Sequence, residues 1–149
     1  MVQTHSNIRI IKAKLHDAIH IASLIKQLVL ETSGRPSINK NYVGKYLKVS
    51  GCNILLAKQS GNILGMISYS VRPGLYHAAK SCIIEDFIIV KESRNKGIGG
   101  KLLTEVIRKA KQEKCAEISV TTEKTNKAAV RLYKRYGFTD ESVYLERHF

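Results

Sequence analysis

The apolar stretch Ser81-Cys82-Ile83-Ile84-Glu85-Asp86-Phe87-Ile88-Ile89-Val90, closely followed by Arg94-Asn95-Lys96-Gly97-Ile98-Gly99-Gly100, constrains this chain more than any other feature. A nearly unbroken apolar run of strand length belongs in a sheet covered on both faces. Glu85 and Asp86 are conspicuous inside it, because a carboxylate among apolar neighbours needs a compensating partner or a task. Past the glycines, Ile98, Leu102, Leu103, Val106, Ile107 and Ala110 recur at helical spacing and predict an amphipathic helix. A strand that turns through glycines into a helix collects unpaired N–H groups and a partial positive charge at one point, which suits a phosphate. Glycine supplies the unusual dihedrals and the close approach, and Arg94 and Lys96 add full charges.

Two phosphate-binding motifs can be tested on the letters. A nucleoside-triphosphate loop requires glycine five residues before Gly100, where this chain has Asn95. A dinucleotide fingerprint starting at Gly97 requires glycine at position 102, which is Leu102. Neither fits, so the turn alone predicts an anion site of unspecified kind.

Around this core the pattern predicts a strand over Ile8–Ala13 and a helix over Leu15–Leu30, with Ala18, Ile21, Ala22, Ile25, Leu28 and Val29 on its apolar face. Gly34-Arg35-Pro36-Ser37 breaks the chain before a weaker helix over Asn39–Val49. Strands over Asn53–Lys58 and Ile63–Val71 are joined by a hairpin at Ser60-Gly61-Asn62, and Arg72-Pro73-Gly74 should end the second. A strand over Ala116–Thr121, a helix over Thr125–Tyr136 and a last strand over Phe138–Leu145 complete one mixed α/β domain.

Composition narrows the partners. The 149 residues are 44% hydrophobic and carry a formal charge of +13, and residues 91–136 hold 13 of the 25 Lys/Arg against 5 Asp/Glu. The basicity therefore gathers where the turn lies, which favours an anionic ligand there. No stretch is long and apolar enough to span a membrane, and the N-terminus lacks the pattern of a secretory signal, so a cytoplasmic location is expected. Cys52, Cys82 and Cys115 are odd in number and widely spaced, which predicts buried reduced thiols rather than disulfides or a zinc site. His16 and His20 have the i, i+4 spacing of a metalloprotease helix but lack its glutamate and a third ligand, so no metal is expected.

With those residues on the page, the chain resembles the GNAT superfamily of N-acetyltransferases. Arg94-x-x-Gly97-x-Gly99 is similar to that family's turn after a central strand. Asn126-x-x-Ala129-x-x-Leu132-Tyr133-x-x-x-Gly137-Phe138 is similar to its later helix-turn-strand signature. The opening from Ile8 also resembles the usual first strand and helix start, so the likeness spans nearly the whole chain. It implies a single N-acetyltransferase domain over residues 1–149, α/β, with a mixed, mostly antiparallel central sheet flanked by helices.

The resemblance also implies direct transfer of an acetyl group from acetyl-CoA to an amine. N–H groups of the turn Asn95, Lys96, Gly97, Ile98, Gly99 and Gly100 would hold the pyrophosphate, with Arg94 beside them. Phe87, Ile88 and Ile89 would pair with the pantetheine arm, and Asn126 would contact the cofactor or the tetrahedral intermediate. Tyr133 would protonate the departing thiolate. Glu85 is the candidate base, acting through water, with Asp86 as the alternative. By strand alternation Glu85 shares a face with Ile83, Phe87 and Ile89 while Asp86 points the other way, and a carboxylate among such neighbours suits a base.

Glu85-Asp86-Phe87 is similar to polyamine N-acetyltransferases, yet a +13 chain repels polycations unless the pocket is locally acidic. A small-molecule amine is the first expectation for the acceptor, with a peptide or protein amino group second. His20, Gln27 and the loop Gly34–Asn41 are candidates for its pocket. Two other classes remain: a basic nucleic-acid-binding module, which no motif supports, and a non-catalytic acetyl-CoA sensor. Neither nucleic acid nor a membrane is expected as partner. A homodimer could use Phe138–Phe149 as an interface strand.

Overall fold

The computed structural model describes residues 7–149 and joins five strands into one sheet, ordered as in the chain. Strands β1 (Arg9–Lys12), β2 (Cys52–Gln59), β3 (Asn62–Gly74) and β4 (Ala79–Ile89) pair antiparallel. Strand β5 (Cys115–Val120) runs parallel to β4, which demands a crossover, and helix α3 (Ile98–Gln112) supplies it. The expected mixed, mostly antiparallel sheet is the one that forms.

Helix α1 (Ala18–Glu31) follows a 3-10 turn over Leu15–Asp17, and Asn39 caps helix α2 (Lys40–Tyr46) by accepting from the Tyr42 N–H. These two helices cover one face of the sheet, packing on Ile54, Leu56, Met66 and Ile88. Helices α3 and α4 (Lys127–Arg135) cover the other, against Leu55, Ile67, Tyr69, Cys82 and Ile84. Alternate residues of β2 thus enter opposite cores, as a two-residue period requires. Leu102, Leu103 and Val106 are fully buried, and truncating one such leucine to alanine costs about 3 kcal/mol.

The hairpin from β2 to β3 turns on Ser60 and Gly61, at φ 50° and 82°, the positive pair that matches strand twist. Strand β3 runs through Arg72-Pro73-Gly74 instead of ending there, pairing these residues with Ser81, Lys80 and Ala79 of β4. The Val71 N–H donates toward Gly51, so the Pro73 nitrogen two residues on points to the same side, where β2 has already ended. A missing donor is harmless on such an open edge.

Two other expectations fail. Residues 138–149 form neither strand nor helix, and Val143 and Leu145 are 85% and 87% exposed. Their alternation has found no partner strand, and alternation alone does not hold a strand. Of the three thiols only Cys82 is fully buried, with Cys52 and Cys115 partly open.

One buried ion pair locks α1 to the sheet. Asp17 is 3% exposed and accepts from Lys58 Nζ at 2.7 Å and the Lys14 N–H at 2.9 Å. Burial alone would raise its pKa, but Lys58, the Lys14 amide and His16 together hold it below the ordinary value. Among the described residues no cluster of His, Cys, Asp and Glu could hold a metal, and no helix is long and apolar enough to cross a membrane.

Candidate active site

The turn after β4 is built to leave amides bare. A 3-10 turn over Lys91–Ser93 leads to Asn95 at φ 59° and Gly97 at φ 76°, and Gly97 is the first flanking residue of α3. That left-handed conformation costs a side-chain-bearing residue roughly 1–2 kcal/mol. No side chain caps α3, and its helical bonding opens with the Lys101 N–H to the Gly97 carbonyl. The N–H groups before Lys101 in the first turn therefore have no intrahelical acceptor. A pyrophosphate fits such a cradle.

Each turn residue has a distinct setting. Ile98 is buried and anchors the helix in the core. A Cβ on Gly100 would collide with the Tyr136 hydroxyl, so the bare position 100 leaves room for the Tyr136 side chain over α3. Lys96 donates to the Glu92 carbonyl at 2.8 Å and remains exposed. Arg94 is committed elsewhere: its Nε donates to the Ile89 carbonyl at 2.9 Å and Nη2 to the Glu31 carboxylate at 2.7 and 2.9 Å. It braces the turn against the end of β4 and the end of α1. Glu31 had no sequence signal pointing to it.

Beside the turn the sheet splits. Pairing of β4 with β5 runs from Lys80–Cys115 to Ile84–Val120 and stops, while β4 continues to Ile89 held only by β3. The edge from Glu85 to Ile89 is open on the β5 side. Phe87 and Ile89 pack on the α3 face, and Ile88 is buried on the α1 face.

At the split, β4 also bulges. Tyr69 is opposite Ile84 and Ser68 is opposite Asp86, so Glu85 is an extra residue in the ladder. The extra residue shifts the alternation. Glu85 accepts from the Tyr46 hydroxyl of α2 at 3.1 Å and the Ser70 hydroxyl at 3.2 Å. Asp86 accepts from the Ser68 hydroxyl at 2.7 Å, and its own N–H donates back to Ser68 Oγ at 2.9 Å. Both carboxylates thus lie on the α1/α2 face, contrary to the expected split between faces. Glu85 is exposed among hydroxyls, not set among apolar neighbours as expected. Burial first, then the Glu85 charge and the Cys52 thiol, push the Tyr46 phenol above its ordinary pKa, so it stays a donor.

Asp86 borders a cavity of about 220 Å³ between the sheet and the two N-terminal helices. Its apolar lining comes from Ile21 and Ile25 of α1, Ile38 and Val43 near and within α2, and Ile54 and Met66 of the sheet. Tyr42, Tyr46 and Ser68 complete the wall. Of the candidates named from sequence, the 34–41 loop contributes Ile38, while Gln27 instead donates to Glu31 at 3.1 Å and neither it nor His20 lines the cavity. Ser68, Ser70 and Tyr46 were missed. The signal was there in Met66-Ile67-Ser68-Tyr69-Ser70, where small hydroxyls occupy one side of an apolar strand.

On the opposite face stands Tyr133 of α4, 7% exposed, with its ring centroid 6.3 Å from Phe87 and 5.7 Å from Phe138. Burial pushes its phenol up to about 12. None of the hydrogen bonds among the described residues uses its hydroxyl, and no sealed side-chain polar atom lacks a partner, so this hydroxyl opens to solvent. Asn126 caps α4, its side chain accepting from the Ala129 N–H at 3.1 Å.

Comparison with known proteins agrees with this geometry. Residues 22–138 match the family model described as Acetyltransferase (GNAT) family. An uncharacterized N-acetyltransferase of Bacillus subtilis, YhfO, is 26% identical over 145 residues covering 93% of both chains. A transcriptional regulator from Bacillus halodurans superposes with a TM-score of 0.85 at 26% identity, covering 96% of this chain and 100% of that one. A ribosomal-protein-alanine N-acetyltransferase from Brucella melitensis has the same fold at a TM-score of 0.81 and 19% identity, over 96% and 100% of the two chains. A bare helix N-terminus beside a split sheet and a family match over most of the chain lead to one conclusion: this chain belongs to the GNAT family and is an acetyl-CoA-dependent N-acetyltransferase.

Proposed function

We propose that the protein acetylates a primary amine of a small molecule, with the amine arriving from the α1/α2 face and acetyl-CoA lying in the split between β4 and β5. One observation carries this reading. At the residues where β4 loses β5, two carboxylates lie on one face and a phenol on the other. A thioester in that gap would be open to a nucleophile from one side and to a proton donor from the other.

In this reading the N–H groups from Asn95 to Gly100 bind pyrophosphate, and Arg94 holds the turn in place through Glu31 and Ile89. The open edge at Phe87, Ile88 and Ile89 offers peptide-like hydrogen bonds to pantetheine. Asn126 keeps the start of α4, and with it Tyr133, at the mouth of the split. Asp86 receives the substrate ammonium through Oδ1, the oxygen that the Ser68 hydroxyl leaves open. Glu85, oriented by Tyr46 and Ser70, takes the ammonium proton through water. The neutral amine then attacks the thioester carbonyl carbon and the carbon–sulfur bond breaks. The nitrogen sheds its second proton to water, and sulfur takes a proton from the Tyr133 hydroxyl, which solvent reloads.

The raised pKa of Tyr133 sharpens its role. A phenol near 12 is fully loaded with its proton but is a weak acid toward a thiolate of ordinary pKa near 8.5. Its contribution is a hydrogen bond to the charge developing on sulfur, with the proton moving only as that charge completes. Thiol release on an amine panel, run beside melting curves with acetyl-CoA and with DNA, tests the reading. Turnover together with stabilisation by acetyl-CoA alone is expected. Stabilisation without turnover would point to a sensor, and stabilisation by DNA to a nucleic-acid module.

A further inference from the structure

The acceptor pocket has a charge pattern that narrows its substrate. Among the described residues lining the cavity, Asp86 is the only carboxylate, and no lysine, arginine or histidine is present. Six aliphatic or thioether side chains from α1, α2, the 34–41 loop and two strands form the rest of the apolar wall. We infer that the acceptor is a monoamine whose single ammonium sits on an alkyl or arylalkyl body, the nitrogen at Asp86 and the body filling the cavity. This rests on the acetyltransfer reading above and names its substrate class.

The physical basis is an asymmetry in cost. An alkyl body gains from leaving water at every methylene it buries. A second ammonium carried into the same space meets Ile21, Ile25, Ile38 and Met66 and finds no acceptor, and a buried unpaired charge is heavily penalised. Asp86 supplies the negative charge that draws one ammonium into the pocket of a basic protein, while Glu85, on the same face of the sheet, does not line that pocket. Polyamines, whose other charges lie at a distance, gain nothing from that pairing. The same chemistry is offered by a free alkylamine and by a peptide N-terminus that begins with a large apolar residue.

Heptylamine and 1,6-diaminohexane have equal numbers of heavy atoms and differ in a terminal methyl against an ammonium, so they isolate the point. The kcat/KM ratio should favour heptylamine by about 100-fold. From propylamine to heptylamine it should rise about fourfold per methylene until the cavity is full. Ile38→Asp, which adds a carboxylate to the wall, should move the ratio toward the diamine by at least about tenfold, an effect that mere loosening of the fold would not produce. A Leu-initiated tetrapeptide beside its Asp-initiated counterpart separates the sources: turnover of the first without heptylamine turnover assigns a peptide terminus, and the reverse assigns a free amine. A diamine used as well as heptylamine, or a flat homologous series, overturns the inference while leaving acetyltransfer standing. No thiol release with any amine overturns both.

Discussion

The two faces of β4 differ in what fixes them. On the α3 side the proposed cofactor turn is made by local chemistry: Gly97 at φ 76°, a bare Gly100 under Tyr136, and an uncapped helix end. On the α1/α2 side the proposed acceptor site is made by register. Only the bulge opposite Ser68 and Tyr69 brings Glu85 and Asp86 to one face, and only packing between sheet and helices creates the cavity that Asp86 borders. On this account the second site is open to change by single side chains without disturbing the first.

Substitutions can test that division. The largest effect is expected at Tyr133, the one proposed participant on the cofactor face that reaches the reaction. Tyr133→Phe keeps the ring between Phe87 and Phe138, so the fold and acetyl-CoA binding should persist while kcat falls about 10³-fold. Steady-state rates beside a melting curve check this, and a full rate would leave the phenol as packing only. Next, Glu85→Gln should lower kcat by about 100-fold with little change in the amine KM. A rate like that of the parent enzyme removes Glu85 as base and leaves Asp86 or water.

A third change tests how α1 is anchored to the sheet without touching the proposed reaction. Asp17→Asn leaves Lys58 facing a neutral partner at the root of α1 and should lower stability by about 2–3 kcal/mol, read from denaturant melts. The sign with pH follows from the lowered pKa of Asp17. Its stabilisation is present above the ordinary carboxylate value near 4 and is lost as pH falls through the lower folded value. The variant should therefore differ most from the parent near neutrality and converge with it in acid. A constant difference down to strongly acid pH would mean the pair does not stabilise the fold as an ion pair.

The same division explains what could be read from the amino-acid letters. Arg94–Gly100 and the helix behind it were legible because glycine placement and helical spacing are properties of short segments, whereas Tyr133 was pointed to only by the family resemblance of the Asn126–Phe138 segment. Arg94 was read as a charge near phosphate, yet its partner Glu31 lies 63 residues away and no local pattern links them. The faces of Glu85 and Asp86 were misread for a related reason. Alternation assumes an unbroken ladder, and a bulge belongs to two strands at once. The last strand failed in the opposite sense, since Val143 and Leu145 alternate correctly but no neighbouring edge receives them.

The smallest expected change, Gly97→Val, also bears most directly on the separation of the two ends, when set beside Asp86→Asn. Acetyl-CoA affinity by calorimetry and amine KM by steady-state kinetics should be measured for both variants. Gly97→Val strains the left-handed residue and should weaken acetyl-CoA by about tenfold, leaving the amine KM where it was. Asp86→Asn should raise the amine KM by about tenfold and leave acetyl-CoA affinity unchanged. If Asp86→Asn instead weakens acetyl-CoA as much as Gly97→Val does, the carboxylate does not serve a separate acceptor site, and the two-faced arrangement around β4 is wrong.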